Sequence, residues 1–395
     1  MAVAGDTLRA SLDVAPTQEE QMLREAVAGI CSRYGPKYTH EKVEAGEPPT
    51  ELWDDLAEAG YLGVNIPTEY GGGGLGMQAL SWVGEEITAA GCSTLLIVVS
   101  PAIVGSILAR HGSSEQKEQW LTGIGAGTIK VAFAITEPDA GTNSHNLATT
   151  LEPHDGGYRL NGQKTYISAV EDSDAVLVIA RLRDEEGTLG LPAPVLVDVD
   201  APGFTRTRIP MADVGPDHQW QLFFEDVEVD PDRLIGGPAG GLGAIFDGLN
   251  PERIMGAALS NGIGRHALAK ASEYARERSV WNAPIGTHQG VAHPLAEAKI
   301  ELELARLMTG KAAALYDAGA KGAGEAANMA KFAAAEASIK CVDRAIQTHG
   351  GNGFALEYGM PQMWWGARIA RTAPVSREMV LNYVAEHSLR LPKSY

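Results

Sequence analysis

Hydrophobic residues recur at helical spacing over 19–33, 50–59, 77–90 and 93–111, with glycines between the runs, so residues 17 to about 128 are predicted to be helical. The pattern then changes. Short β-type runs at 131–135, 175–180, 195–199 and 220–224 are separated by the turn signals Asp155-Gly156-Gly157, Asn161-Gly162, Pro202-Gly203 and Gly215-Pro216. This reads as a small β domain inserted between helical ones. A glycine-rich link at 236–243 leads back to helix, which resumes at Pro251. Ile300, Leu304, Leu307, Met308 and Leu315 form one apolar stripe, and 324–348 and 375–390 give further helices with few breakers. Long striped helices joined by loops predict an antiparallel four-helix bundle. The expected class is α+β, mainly α, with an N-terminal helical domain (1–128), a central β domain (129–240) and a C-terminal helical bundle (241–395).

Composition narrows the function. The chain has 395 residues and a formal charge of -18. That argues against nucleic acid and anionic membrane as partners, and means that a phosphate-rich ligand must be held by a local cluster of donors. Cys31, Cys92 and Cys341 have no CxxC spacing. They read as reduced thiols of a cytoplasmic protein, with no metal site or disulfide framework expected. Residues 1–17 lack a basic-then-apolar leader pattern, and the apolar run at 95–99 is too short to span a membrane. The run Gly71-Gly72-Gly73-Gly74-Leu75-Gly76 has neither a preceding strand nor a following GK[ST], so a connecting loop is expected rather than a phosphate loop.

Candidate chemistry begins where the run 131–135 ends in Thr136-Glu137-Pro138-Asp139-Ala140-Gly141-Thr142. Such a turn places backbone N–H groups and two hydroxyls at the mouth of a strand, able to hold a heterocycle edge and a phosphate. It is followed by Asn161-Gly162-Gln163-Lys164-Thr165-Tyr166-Ile167-Ser168, then much later by Gln347-Thr348-His349-Gly350-Gly351-Asn352-Gly353. In that order, the three motifs resemble the FAD-dependent acyl-CoA dehydrogenases, from about residue 17 to the C-terminus. Thr142-Asn143 departs from the family's usual serine-aspartate.

The resemblance implies FAD as cofactor, an acyl-CoA thioester as substrate in fatty-acid β-oxidation, and an electron-transfer flavoprotein as partner. It implies that Phe133, Ala134, Ile135 and Thr136 run along the flavin edge, with Gly141 in the turn and Thr142 near ligand phosphate. Tyr166 would cover the ring, followed by Ile167, with the Ser168 hydroxyl near N5; without the motif, Tyr166 reads as a half-buried strand aromatic. Lys164 reads as a solvated or ion-paired strand residue. The stretch 276–286 is similar to the family's Arg-x-x-Phe-Gly signature, with Trp281 and Asn282 replacing Phe and Gly. There Arg278 would pair with the pyrophosphate, beside Val280 and Trp281, and His288 and Gln289 would lie on the adenine side. Gln347, Thr348, Gly350 and Gly351 would approach the pyrophosphate closely. In the family these contacts reach the FAD of a neighbouring subunit, so a homo-oligomer is expected, as a tetramer. Val375 and Ser376 complete the cofactor set.

Dehydrogenation of a thioester needs a base for the α-proton, a hydride acceptor for the β-hydrogen, and donors on the thioester oxygen. Most of the family carries the base as a glutamate near the C-terminus. Here Ala373 or Pro374 occupies that position, and neither takes a proton; Glu378 lies downstream on the outer part of the next helix. The isovaleryl- and long-chain-type enzymes instead place the glutamate before an arginine on the first bundle helix. The matching stretch is Asn250-Pro251-Glu252-Arg253. Glu252 is therefore the expected base, with Asn250 and Arg253 on the substrate side. Pro251 predicts a first helical turn, which would put Glu252 at a helix N-terminus. Residue chemistry alone favours a carboxylate that merely complements the helix dipole and, for Arg253, equally allows an ordinary ion pair. An oxidase or monooxygenase on the same fold, or a non-catalytic FAD- and acyl-CoA-binding subunit, stays open as an alternative.

Overall fold

A computed structural model describes residues 16–184, 187–212, 215–237 and 241–393. The stretch 1–15, most of the expected leader-free N-terminus, lies outside the described residues, as do 238–240 of the glycine-rich link and the last two residues of the tail.

The N-terminal domain is built from α1 (Gln18–Cys31), α2 (Gly35–Ala45), α3 (Thr50–Glu58), α4 (Gly76–Ala89), α5 (Gly105–His111) and α6 (Ser114–Gly125). Local chemistry sets their starts. The Thr17 hydroxyl caps Glu20 N–H at the head of α1, and Ser113 with Gln116 forms a reciprocal capping box at α6. The stretch expected as one helix over 93–111 is interrupted. Pro101 sits in a π-helical segment, Val98–Val104, before α5 begins, because proline has no N–H for the regular ladder. The glycine run does form a loop. It folds back through Gly73 N–H to Gly63 O and Leu75 N–H to Val64 O, and a Cβ on Gly72 would collide with the Ile66 backbone.

The middle domain is one seven-stranded sheet, β1 (Val131–Ala134), β2 (Thr150–His154), β3 (Gly157–Ser168), β4 (Ala175–Arg183), β5 (Leu189–Asp198), β6 (Phe204–Ile209) and β7 (Gln219–Val229). Their order is β1-β4-β2-β3-β7-β6, with β5 on the other side of β4; β1 and β2 run parallel to β4. Strand alternation sorts the side chains. Val131, Phe133, Ala175, Leu177 and Ile179 join the helical core, while Ala132, Ala134, Val176, Val178 and Ala180 join a separate β core. Asn161-Gly162, expected as a turn, lies within β3 at a bulge: the Asn161 side-chain oxygen accepts from Asp226 N–H on β7.

The C-terminal domain holds α7 (Gly241–Glu277), a small hairpin of β8 (Ser279–Val280) and β9 (Ala283–Pro284), α8 (Gln289–Asp317), α9 (Ala323–His349), α10 (Met360–Ile369) and α11 (Arg377–Tyr383). The three long helices pack on one another, α10 packs against α9 and α7, and α11 lies on α9. The apolar stripe on α8 is only partly its buried face: Met308 and Leu315 pack against the core, but its other three members do not. Ala298, Leu302, Ala305, Ala312 and Ala313 are buried, whereas Ile300, Leu304 and Leu307 are more than half exposed at 62%, 61% and 52%. Mostly small residues face the neighbouring helices, where the helix axes approach closely, and Ile300, Leu304 and Leu307 are left outside.

One ionic cluster ties the two helical domains. Glu85 and Glu86 on α4 receive Arg24 of α1, Arg265 of α7 and Arg306 of α8 at 2.6–3.4 Å.

Candidate active site

The first group of residues lies where β1 leaves the sheet. Thr165 N–H donates to the Thr136 carbonyl at 2.9 Å, which brings the 133–136 segment against the 166–168 segment of β3. The Phe133, Ala134 and Ile167 side chains point into the cores, so these residues can offer a ligand only their backbone. Ile135 and Thr136 are half-buried at the strand mouth, while Gly141 and Thr142 are exposed. Tyr166 is 59% exposed with φ 56, and the Ser168 hydroxyl pairs with the Gln219 amide at 2.8 Å.

Lys164 is not a solvated strand residue. It is fully buried, and its Nζ donates to the Ile135 carbonyl at 3.0 Å and to Glu137 Oε1 at 2.8 Å. The other donors to Glu137 are Ala148 N–H at 2.6 Å and Thr149 N–H at 3.0 Å. Burial pushes Lys164 down to about 8 against the pull of Glu137. Burial also opposes ionisation of Glu137, but Lys164 and the backbone donors outweigh it and hold its carboxyl below the usual range. This pair fixes the turn that carries Thr136. Sequence reading missed its depth because alternation along an irregular strand does not report burial.

The second group centres on Glu252. Here the helix-start expectation fails: α7 begins ten residues earlier and Pro251 lies inside it, so no helix-N-terminal dipole acts on Glu252. The missing Pro251 N–H leaves the Asp247 carbonyl without its helical donor, and the Tyr316 hydroxyl of α8 takes that role at 3.0 Å. Glu252 is enclosed by protein while keeping partial access to solvent. Burial pushes its carboxyl up to about 7, opposed by the charges of Arg253 and Lys331. Arg253 donates to Asn250 Oδ1 at 3.1 Å and to the Leu249 carbonyl at 3.3 Å, and its Nε has no partner among the described residues.

Lys331 of α9 was not foreseen. It is 2% exposed and donates to the Val375 carbonyl, with burial pushing it down to about 8. The turn at 373–376, where most of the family carries its base, lies on α7: a Cβ on Gly256 would stand 3.6 Å from Pro374 Cδ. Ala373, Pro374 and Glu378 are exposed, and Ser376 caps α11 through Met379 N–H.

The third group is at the far end of α7. Trp281 and Asn282 take φ 54 and 63 between β8 and β9, the geometry of a tight two-residue hairpin turn. Asn replaces Gly here because it tolerates left-handed backbone. Arg278, Val280, Trp281, His288 and Gln289 are all exposed, Trp281 at 88%. Nearby, Tyr274 stacks on His349 with centroids 4.4 Å apart, and Asn352 bonds both Tyr274 and Tyr358 at 3.1 Å. These contacts hold the end of α9 and the turn after it, which bear Gln347, Thr348, Gly350 and Gly351, of which all but Thr348 are exposed. At the helical rise, Glu252 and Arg278 are about 39 Å apart along α7. A single chain therefore brings the first group together, the second together and the third together, and keeps the third far from Glu252.

Residues 17–128, 132–227 and 239–389 match the N-terminal, middle and C-terminal domains of acyl-CoA dehydrogenases. The chain belongs to the acyl-CoA dehydrogenase family. It is 52% identical to acyl-CoA dehydrogenase FadE12 of Mycobacterium tuberculosis over 380 residues, 96% of this chain and 98% of that protein. Caffeyl-CoA reductase-Etf complex subunit CarC of Acetobacterium woodii is 32% identical over 89% of this chain and 93% of its own length. Butyryl-CoA dehydrogenase from Megasphaera elsdenii superimposes with a TM-score of 0.88 at 25% identity, covering 95% of this chain and 99% of that one. As a member of this family the protein is an oxidoreductase with FAD as cofactor. Its residues fit that group: a strand mouth offering backbone donors and Thr136, an exposed aromatic at 166, and an exposed guanidinium beside a glycine loop. Among the described residues no helix is long and apolar enough to cross a membrane, and no His, Cys, Asp and Glu cluster could hold a metal ion.

Proposed function

We propose that this protein converts an acyl-CoA thioester to its trans-2-enoyl-CoA, with Glu252 as the base, and passes the electrons to an electron-transfer flavoprotein in the cytoplasm. The observation that carries this reading is the state of Glu252. It is a buried carboxyl pushed up to about 7, beside Arg253, on a helix faced by a 373–376 turn with no ionisable side chain at the usual base position.

A carboxylate with a raised pKa is a stronger base toward the weakly acidic α-proton, and still ionises near neutral pH. Glu252 would take that proton, while Arg253 and Asn250 hold the substrate side of the pocket in register. When bound, FAD accepts the β-hydrogen as hydride. Backbone N–H groups at 135–136 and the hydroxyls of Thr136 and Ser168 would hold its ring, Tyr166 would cover it, and Thr142 would meet ligand phosphate. Val375 and Ser376 would approach it from the bundle side. The separation of about 39 Å along α7 supports a further step: Arg278, Trp281, His288, Gln289 and the 347–351 loop would serve the cofactor of a neighbouring copy. An exposed Trp281 and the uncovered Ile300, Leu304 and Leu307 are apolar surface of the kind that subunits cover. A homotetramer is the assembly proposed.

Anaerobic mixing with a panel of acyl-CoAs tests the reading. Wild type should lose flavin absorbance with at least one of them, and Glu252→Gln should slow that loss by roughly 1,000-fold or more. Equal bleaching in both would reject Glu252. Retained FAD with no bleaching by any acyl-CoA in wild type would reject dehydrogenation.

A further inference from the structure

Lys331 is a cation sealed between α9 and the 371–377 turn, and the proposed reaction gives it no part. Three contacts close that turn. Arg377 N–H donates to the Arg371 carbonyl at 2.9 Å. Glu336, also on α9, accepts from Arg371 at 2.7 Å and from Arg377 at 3.1 Å. Lys331 Nζ donates to the Val375 carbonyl at the turn's inner side. Pro374, in the same turn, lies against Gly256, one helical turn beyond Glu252.

We propose that Lys331 is a positioning residue for Glu252: it pins the 373–376 turn over α7 and places a positive charge beside the carboxylate at neutral pH. The inference rests on the reading of Glu252 as base and gives it a device for staying ionisable while buried. The groups facing this pair come from three helices. Arg253 adds a second positive charge from α7, Glu336 from α9 and Glu378 from α11 face Lys331, and Tyr383 of α11 faces Arg253. A cation near a carboxylate favours its charged form, whereas enclosure by the turn disfavours it. Lys331 contributes to both effects with opposite signs, so the direction of the shift in a Lys331 variant reports which one is stronger. Removing the charge raises the pH at which Glu252 ionises; loosening the turn admits water and lowers it.

The test is an infrared titration of the carboxylic C=O band of the FAD-loaded enzyme, assigned to Glu252 as the band lost in Glu252→Gln. In Lys331→Met the midpoint should rise by roughly one pH unit, and in Lys331→Arg it should return close to wild type. Lys331→Gln gives the same readout if the methionine variant does not fold. An unchanged or lowered midpoint in the charge-removing variants would overturn the inference and leave Lys331 a purely structural residue. The titration needs no turnover. A wild type that fails to bleach with acyl-CoA would therefore sink the proposed reaction separately, while the band still reports on Lys331.

Discussion

Two buried carboxylates in this molecule each have a buried lysine nearby, and they end in opposite states. Glu137 accepts two backbone N–H groups and the Lys164 ammonium, and stays ionised below the usual range. Glu252 has Arg253 and Lys331 as charged neighbours but no hydrogen bond among the described residues, and is pushed up to about 7. Charge proximity is similar in kind; the difference is the short, directed donors. A carboxylate with its lone pairs filled is a fixed structural anion. One enclosed by protein without such donors keeps its lone pairs for a proton. The same fold thus uses one pair to hold the turn that carries Thr136 and leaves the other unsatisfied at the place where chemistry is proposed.

The largest effect should separate the two by function. Glu252→Gln should cost roughly 1,000-fold or more in flavin reduction with a nearly unchanged fold, read by stopped-flow absorbance beside circular dichroism. Lys164→Met should do the reverse. Breaking a buried pair leaves Glu137 unpaired, at about 3–5 kcal/mol of stability, measured by denaturant titration. A Lys164→Met protein as stable as wild type would end the contrast.

A smaller effect follows from pH. Glu252 has a folded pKa above its unfolded value of 4.5, so its ionisation destabilises the fold. This contribution is absent below about 4.5, grows as pH rises through about 7, and is constant above that. Glu252→Gln should therefore gain stability relative to wild type between pH 5 and 8, on the order of 2 kcal/mol, in thermal or denaturant unfolding at both pH values. Glu137→Gln should show no such change between pH 5 and 8; the stability that its depressed carboxyl contributes is lost only as pH falls below about 4.5. The smallest effect concerns the helix under the base. Tyr316→Phe removes the donor that replaces the Pro251 N–H and should cost about 1 kcal/mol, measured the same way.

Much of this was legible in the chain. The switch from helical spacing to short β runs and back locates the three-part architecture, and the strand-then-turn at 131–142 locates β1 and the turn that follows it. The misreadings share a cause, since each depended on contacts distant in sequence. Pro251 resembles a helix start, yet Tyr316, 65 residues on, supplies the lost donor and lets α7 continue. Ile300, Leu304 and Leu307 of α8 look like part of a core stripe, yet the helix meets its neighbours mainly through alanines and Leu302. Lys164 is ion-paired, as one of its two readings had it, but its depth was not legible, because a lysine's burial is decided by what closes over it. Asn161-Gly162 has turn chemistry, but pairing with β7 turns it into a bulge.

The central claim is that Glu252 removes the α-proton from its place on α7. The most direct measurement is deuterium uptake at the α-carbon of an acyl-CoA whose β-carbon is replaced by sulfur, followed by NMR in D2O with the FAD-loaded enzyme. Sulfur at that position leaves no β-hydride to transfer, so exchange reports proton abstraction alone. The account predicts exchange catalysed by wild type and slowed at least about 100-fold in Glu252→Gln. Exchange at the same rate in both would contradict it.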